Sequence, residues 1–213
     1  MKIFALTLAS LGLSTAVYGA PITIFNTGVD ASGNPLAGGS SDSHWDVVSP
    51  AGDAKVISSI PGSWLANTSA STWIWENANG QPVNVIRRFE TTFDMTGLDL
   101  STATLNGRWA ADNTGLNIFI NGIDIVPPNS VAGGFTSWTS FSIPNSDLVQ
   151  GINTLVFEVQ DFGVISGFRA EFLTAEADLL SVPEGGNSLL LMAAGLGFLA
   201  VACVARQKFC ALS

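Results

Sequence analysis

An antiparallel, all-β sandwich of the two-sheet jelly-roll kind is the fold this sequence predicts. Three observations predict it. Apolar and polar residues alternate with period two along the middle of the chain, turn residues punctuate that alternation at short intervals, and no amphipathic helical pattern interrupts it.

The chain opens differently from its middle. Met1 and Lys2 form a positive start, Ile3 to Leu13 an apolar run, and Ala16-Val17-Tyr18-Gly19-Ala20 a small-residue exit. That order is expected of a secretory signal peptide over residues 1–20, cut after Gly19 or Ala20. From Pro21 to Leu180 there are about 160 residues, enough for one domain with a proper core. That span holds five basic residues (Lys55, Arg87, Arg88, Arg108, Arg169) and sixteen acidic ones, a net charge of −11. Such a surface repels phosphate, so nucleic acid is not an expected partner. Its two cysteines, Cys203 and Cys210, lie in or beyond the terminal apolar run. The exported domain therefore has no disulfide, no cysteine metal pair and no Cys-His nucleophile, and burial of a β core must hold it together.

Strand patterns follow in order. Expected strands lie around Ile22–Phe25, Trp45–Val48, Lys55–Ser58, Thr72–Trp75, Ala103–Trp109, Leu116–Ile120 and Ser137–Ile143. In RRFETTFDM, Phe89 and Phe93 face one way and Arg88, Glu90, Thr92 and Asp94 the other. In NTLVFEVQD, Leu155, Phe157 and Val159 alternate with Val156, Glu158 and Gln160, and in GFRAEFLT, Phe168, Ala170 and Phe172 alternate with Arg169 and Glu171. One buried and one wet face is the antiparallel signature. Asn121-Gly122 between two apolar runs predicts a tight type I′ hairpin, because both residues tolerate positive φ. Some ten short strands without cysteine or fixed repeat make a jelly roll the expected closure.

The chain ends on an apolar run. Leu189 to Ala205 is 17 uncharged residues, about 25 Å of helix, followed by Arg206 and Lys208 as a cytoplasmic stop and a tail over 206–213. Residues 181–188 carry Val182-Pro183-Glu184-Gly185-Gly186 ahead of it. The blocks TGVDASGNPLAGGSSDSHWDV (27–47) and GRWAADNTGLNIFINGIDI (107–125), with this tail, resemble those of exported bacterial PEP-CTERM proteins. The second block is also similar to the galactose-binding-like jelly roll of carbohydrate-binding modules. The resemblance implies a membrane-embedded exosortase that cuts near Val182–Gly186, transient anchoring in the inner membrane of a Gram-negative-type bacterium, and release to the cell surface or extracellular matrix. A basic cluster reduced to Arg-Gln-Lys and the extra Phe-Cys-Ala-Leu-Ser end depart from that pattern; a permanent C-terminal anchor is the alternative.

Function is read from the side chains that suit sugars. All six tryptophans (Trp45, Trp64, Trp73, Trp75, Trp109, Trp138) fall in the exported part, and indole faces stack on sugar C–H surfaces while amides and carboxylates hold hydroxyls. Extracellular polysaccharide is thus the expected partner, with Trp64, Trp73, Trp75 and Trp109 as an exposed platform and Asp112, Asn113, Asn117 and Asn121 beside it; turn chemistry is the plainer account of those four polar residues. No cofactor is expected. Asp30, Ser32 and Asn34 of DASGN present oxygens at alternate positions as calcium loops do, but the full spacing with its closing Glu is missing and an ordinary turn accounts for them. His44, the sole histidine, is expected as a hydrogen-bonded surface or rim residue. No Gly-x-Ser-x-Gly elbow occurs, so the chain reads as non-catalytic. A glycosidase using carboxylates such as Glu76, Glu90 or Asp112, or a structural protein-interaction module, is the alternative.

The expected outcome for the compartment is a surface form trimmed at both ends. Mass spectrometry of the cell-surface fraction checks it, and a dominant surface form that retains peptides spanning Val182 to Lys208 counts against cleavage.

Overall fold

The computed structural model describes residues 19–125 and 134–181. The expected signal segment up to residue 18, the Val182–Gly186 motif, the span Leu189–Ala205, and Arg206 and Lys208 lie outside the described residues. Among the described residues no helix is long and apolar enough to cross a membrane. The strands make one compact unit that ends at Leu179; of a second unit, Leu180–Ser213, only Leu180 and Ser181 are described.

Eleven strands carry the fold: β1 (Ala20–Pro21), β2 (Ser41–Val47), β3 (Gly52–Val56), β4 (Ile74–Trp75), β5 (Ile86–Asp94), β6 (Thr104–Asp112), β7 (Thr114–Ile120), β8 (Ile123–Asp124), β9 (Thr139–Ile143), β10 (Ile152–Gln160) and β11 (Gly167–Ala177). The only helical pieces among the described residues are two single 3₁₀ turns, Leu100–Thr102 and Asn145–Asp147. Most predicted strands lie where the alternation put them. Ile22–Phe25 is the exception: the strand there is Ala20–Pro21, and the next residues run as irregular chain along β11, touching it through Ile22 N–H to Ala175 O at 2.9 Å and Thr27 N–H to Ala170 O at 3.1 Å. A side chain explains the irregularity. The Thr27 hydroxyl takes the Ala170 N–H at 3.2 Å, replacing a ladder bond with a side-chain bond.

Every pairing is antiparallel, and the hydrogen-bonded order is β8-β7-β10-β5-β2-β3-β4-β11-β6-β9, with β1 on β11. The path does not break into two separate sheets. It bends at β2–β3, where the register shifts between Asp42 and Asp46, so that its halves face one another in a sandwich-like arrangement. Aromatic rings fill the space between the halves. Phe168 of β11 stacks on Phe89 of β5 with centroids 4.9 Å apart and meets Phe157 of β10 at 5.2 Å, while Trp109 of β6 meets Phe157 at 5.4 Å and Trp45 of β2 meets Phe168 at 5.4 Å. All five rings are buried, and with no disulfide among them this contact is what couples the halves.

Alternation holds in β5 and, with one exception, in β10: Phe89, Phe93, Leu155, Phe157 and Val159 are buried and Arg88, Thr92 and Asp94 are exposed, but Glu158, expected on the wet face, is buried and accepts Arg88 Nε at 2.7 Å and Asn117 Nδ2 at 3.0 Å. The turn Asn121-Gly122 has φ of 52° and 82°, the two positive values that a type I′ hairpin needs, and it pairs Ile120 with Ile123.

The departure from the expected wet face is larger in β11. Arg169 and Glu171 of β11 are buried, at 1% and 3% exposure, because the chain at 65–72 and the half-buried ring of Trp138 cover that side. A closed network satisfies them. Glu171 accepts Arg108 Nη2 at 2.6 Å and Nε at 2.8 Å, Ser71 Oγ at 2.6 Å and Arg169 Nη2 at 3.1 Å; Arg169 also donates to Ser71 Oγ and Ala66 O, both at 2.6 Å, and to Thr68 Oγ1 at 3.0 Å. The indole of Trp138 lies 4.5 Å from the Arg108 guanidinium and 4.8 Å from that of Arg169. Burial pushes the Glu171 carboxyl up, but the bonds from Ser71 and Arg108 outweigh it and hold it below its ordinary value. Glu171→Gln leaves Arg169 as an uncompensated buried charge, so unfolding free energy is expected to fall by about 3–5 kcal/mol, measured by chemical denaturation; a loss under about 1 kcal/mol refutes the network's role.

Candidate functional site

The four tryptophans expected as an exposed platform are core residues. Trp64, Trp73, Trp75 and Trp109 are 6%, 0%, 0% and 2% exposed, and no indole face among them is open to a ligand. The physical reason is that each indole is worth more as filling between the halves, and its N–H finds an internal acceptor: Trp73 Nε1 donates to Leu65 O at 2.7 Å and Trp75 Nε1 to Pro82 O at 3.0 Å. Trp64 lies so tightly on β11 that a Cβ at Gly167 would meet its ring at 2.5 Å, so only glycine fits there. Trp138, the one tryptophan that is not buried, is already stacked on two guanidinium groups.

Three of the polar candidates are likewise committed to the fold. The Asn121 amide donates to Asp147 O and Asn153 Oδ1, each at 2.9 Å, and accepts Thr154 N–H at 3.0 Å; Asn117 donates to Glu158 Oε1 at 3.0 Å; Asn113 Oδ1 accepts Phe162 N–H at 2.7 Å. Turn and strand chemistry accounts for them. Asp112 differs: it is buried and its Oδ1 has no partner. In DASGN, Asp30 Oδ1 accepts the N–H groups of Ser32 and Asn34 at 2.8 and 2.9 Å, and Oδ2 takes Asn34 Nδ2 at 3.4 Å. The loop is an Asx turn that uses its own oxygens. Among the described residues no group of three His, Cys, Asp or Glu could hold a metal ion.

The concave feature with open polar chemistry lies on the outer side of β2 and β5. A groove of about 320 Å³ is lined by Phe25, His44, Asp46, Glu90, Thr92, Asp94 and neighbouring residues. Alternation builds it, because the outward residues of β5 are the ones between Phe89, Thr91 and Phe93. The half-buried rings of His44 and Phe25 stack face to face, centroids 3.7 Å apart and planes 12° apart, so each covers one face of the other. Asp46 and Glu90 stand directly opposite across the β2–β5 pair. Like charges in that register destabilise a sheet, and among the described residues neither carboxylate has an ion-pair partner within bonding distance. They are acceptors left open. Asp94, at the groove's end, is held below its ordinary carboxylate value by the hydroxyl and N–H of Thr96.

His44 is placed by a buried neighbour. Asp42, fully buried, accepts His44 N–H at 3.0 Å and Gly28 N–H at 2.6 Å, pinning the 27–30 chain to the start of β2. His44 Nε2 is shielded from water without a partner, contrary to the expected hydrogen-bonded rim histidine, and burial holds the imidazole below its ordinary pKa against the opposing charge of Asp30. Neutral imidazole is therefore the form facing the groove. Of the carboxylates named for a glycosidase, Glu76 is bound to Arg87 at 2.6 Å, Asp112 lies where the end of β6 meets the end of β10, and only Glu90 reaches the groove. Those three do not come together. Phe25 and Asp46 were missed from the sequence; the His44-Trp45-Asp46 alternation could have placed His44 and Asp46 on one outward face, but nothing local pairs Phe25 with His44.

The chain has no match among protein-family models, curated proteins or solved structures.

Asp42 makes a pH test possible. Burial raises its carboxyl from 3.8 to about 6, opposed by the Gly28 and His44 N–H groups. An acid whose folded pKa is raised binds more protons folded than unfolded, so its contribution favours the fold most fully below about pH 3.8 and is lost as pH rises through about 6. The difference amounts to about 3 kcal/mol at most. Asp42→Asn is expected to remove this fall in stability between pH 4 and 6, roughly the interval of the shift, in denaturation curves taken across it; an unchanged slope refutes the assignment.

Proposed function

We propose that this chain is an exported, surface-sorted, non-catalytic protein whose sandwich binds extracellular carbohydrate, directly or as a matrix component. The observation that carries the reading is the groove on β2 and β5: the stacked rings of Phe25 and His44 beside the open carboxylates of Asp46 and Glu90, with Asp94, capped by Thr96, at its end. A sugar ring offers an apolar C–H face and a rim of hydroxyl donors, and an aromatic surface with acceptors at its edge is complementary to both. The jelly-roll likeness to galactose-binding-like modules, and the sorting of the chain at Val182–Gly186 by an exosortase after transient anchoring through Leu189–Ala205, belong to the same proposal and rest on the sequence blocks and tail. The acidity of the domain keeps it soluble and away from nucleic acid.

The test is retention of the purified protein on a panel of soluble and insoluble polysaccharides, with reducing ends assayed in the same tubes. Retention without release is expected. Phe25→Ala and His44→Ala each remove part of the stacking surface and are expected to weaken affinity ten- to a hundredfold, about 1.4–2.8 kcal/mol, while the melting transition moves little because both rings are half-exposed. Retention that survives both substitutions overturns the groove as the site. Release of reducing ends that is lost in Glu90→Gln favours a surface glycosidase, and no retention at all favours a structural module.

A further inference from the structure

A second polar site lies at the other end of β5 from the groove. There β6 ends at Asp112 and β10 ends at Gln160, and the chain just beyond each strand is laced to the other: Asn113 N–H donates to Gln160 O at 3.1 Å, and Phe162 N–H donates to Asn113 Oδ1 at 2.7 Å. These two bonds flank Asp161 on both sides and bring it near enough to Asp112 for its charge to act on that carboxyl. Asp161 Oδ2 is occupied, accepting Asn84 N–H at 2.7 Å and Gly163 N–H at 2.9 Å, and Asp161 N–H is fixed to Val85 O at 2.9 Å. Asp112 is hydrogen-bonded by the Trp64 side chain, which leaves one oxygen on each carboxylate without a partner. Asp112 Oδ1 and Asp161 Oδ1 are both shielded from water without a hydrogen-bond partner, on residues only 5% and 2% exposed.

Two buried carboxylates with one bare oxygen each are an unstable arrangement unless positive charge lies between them. None of the chain's own cations among the described residues supplies it: Arg87, Arg88, Arg108 and Arg169 are paired with Glu76, Glu158 and Glu171, and Lys55 donates to Ser41 Oγ. Burial, with the charge of Asp161 added, pushes the Asp112 carboxyl up to about 6.

We propose that Asp112 and Asp161 bind a divalent calcium-like cation at this end of the sandwich. The donors are hard oxygens, with neither sulfur nor imidazole among them, which favours calcium or magnesium over transition metals. Calcium accepts irregular sets of six to eight oxygens that mix carboxylates with backbone or amide carbonyls and water, so the two carboxylates would supply the charge and carbonyls or water the remaining ligands. This is a different place from the DASGN turn, whose Asp30 oxygens are spent on its own loop. The consequence is mechanical. The cation ties the end of β6 to the loop that carries Phe162 and Val164, which are 61% and 88% exposed, and so orders the apolar tip of that loop.

The experiment uses the full chain purified in detergent and freed of metal by chelator. Terbium is the probe: Trp64, which lies against Asp112, sensitises its emission. A saturable emission signal displaced by calcium is expected, with Kd on the order of 0.1–1 mM, the range of extracellular calcium modules. The melting temperature is expected to rise by several degrees at calcium well above Kd and to fall back with chelator. Both responses should be lost in Asp112→Asn and kept in Asp30→Asn. Equilibrium dialysis with calcium on the unmodified chain, expected to give one site, keeps the proposal testable if Asp112→Asn does not fold. Absence of saturable binding, or calcium responses that persist in Asp112→Asn, overturns it. So does a melting temperature that ignores calcium and follows only pH around 6, which would assign the pair to a shared proton. None of these readouts depends on glycan retention.

Discussion

Everything in this fold depends on the contact between Phe157 and Phe168. One ring belongs to the β7-β10-β5-β2 half of the sheet and the other to the β4-β11-β6-β9 half, and around their 5.2 Å contact gather Phe89, Trp45 and Trp109. A chain with no cysteine before Cys203 has no disulfide to bring two sheet faces together. Close-packed aromatic rings do it instead, and they fix the relative position of the strands because a tightly packed interior tolerates little sliding. The groove and the carboxylate pair inherit their geometry from that position.

Burial of large side chains has a cost that the structure meets in two ways. Around Arg169 and Glu171 it meets the cost completely, with two guanidinium groups, a hydroxyl and an indole closing around one carboxylate. Around Asp112 and Asp161 it does not, and one oxygen on each remains bare. Native interiors rarely leave buried charge unpaired. The contrast within one molecule separates a structural network from a place that is shaped for something else.

The two candidate sites are independent because β5 keeps them apart. Asp161 is tied to Val85, just ahead of the strand, whereas the groove begins at Glu90 and runs to Asp94. Outward residues of the strand's second half form the groove, and the loops beyond its first residue form the carboxylate pair. An antiparallel sandwich offers both kinds of surface: a pleated outer face that can be flat and polar, and a loop end where strand termini converge. The Phe25–His44 stack is an example of the first, requiring the irregular 22–27 segment to lie beside β2.

By itself the sequence located most of the strands and the tight turn at Asn121-Gly122. Period two sorted inner from outer residues in RRFETTFDM and, Glu158 apart, in NTLVFEVQD, and Asn121-Gly122 carried its own backbone preference, because these signals are local to a few neighbouring residues. It also showed a chain held together by core burial alone. Tertiary structure decided the rest. Whether a tryptophan is platform or core depends on what packs over it from another strand, so Trp64, Trp73, Trp75 and Trp109 read as binding residues and proved to be filling. Arg169 and Glu171 looked like a wet face until the distant 65–72 segment covered them. Phe25 meets His44, and Asp112 meets Asp161, only through folding: the second pair is 49 residues apart along the chain, the same separation as the Asn113–Phe162 bond that brings it together. No local pattern records such a meeting, because proximity across a sandwich is set by strand order and register and not by spacing along the chain.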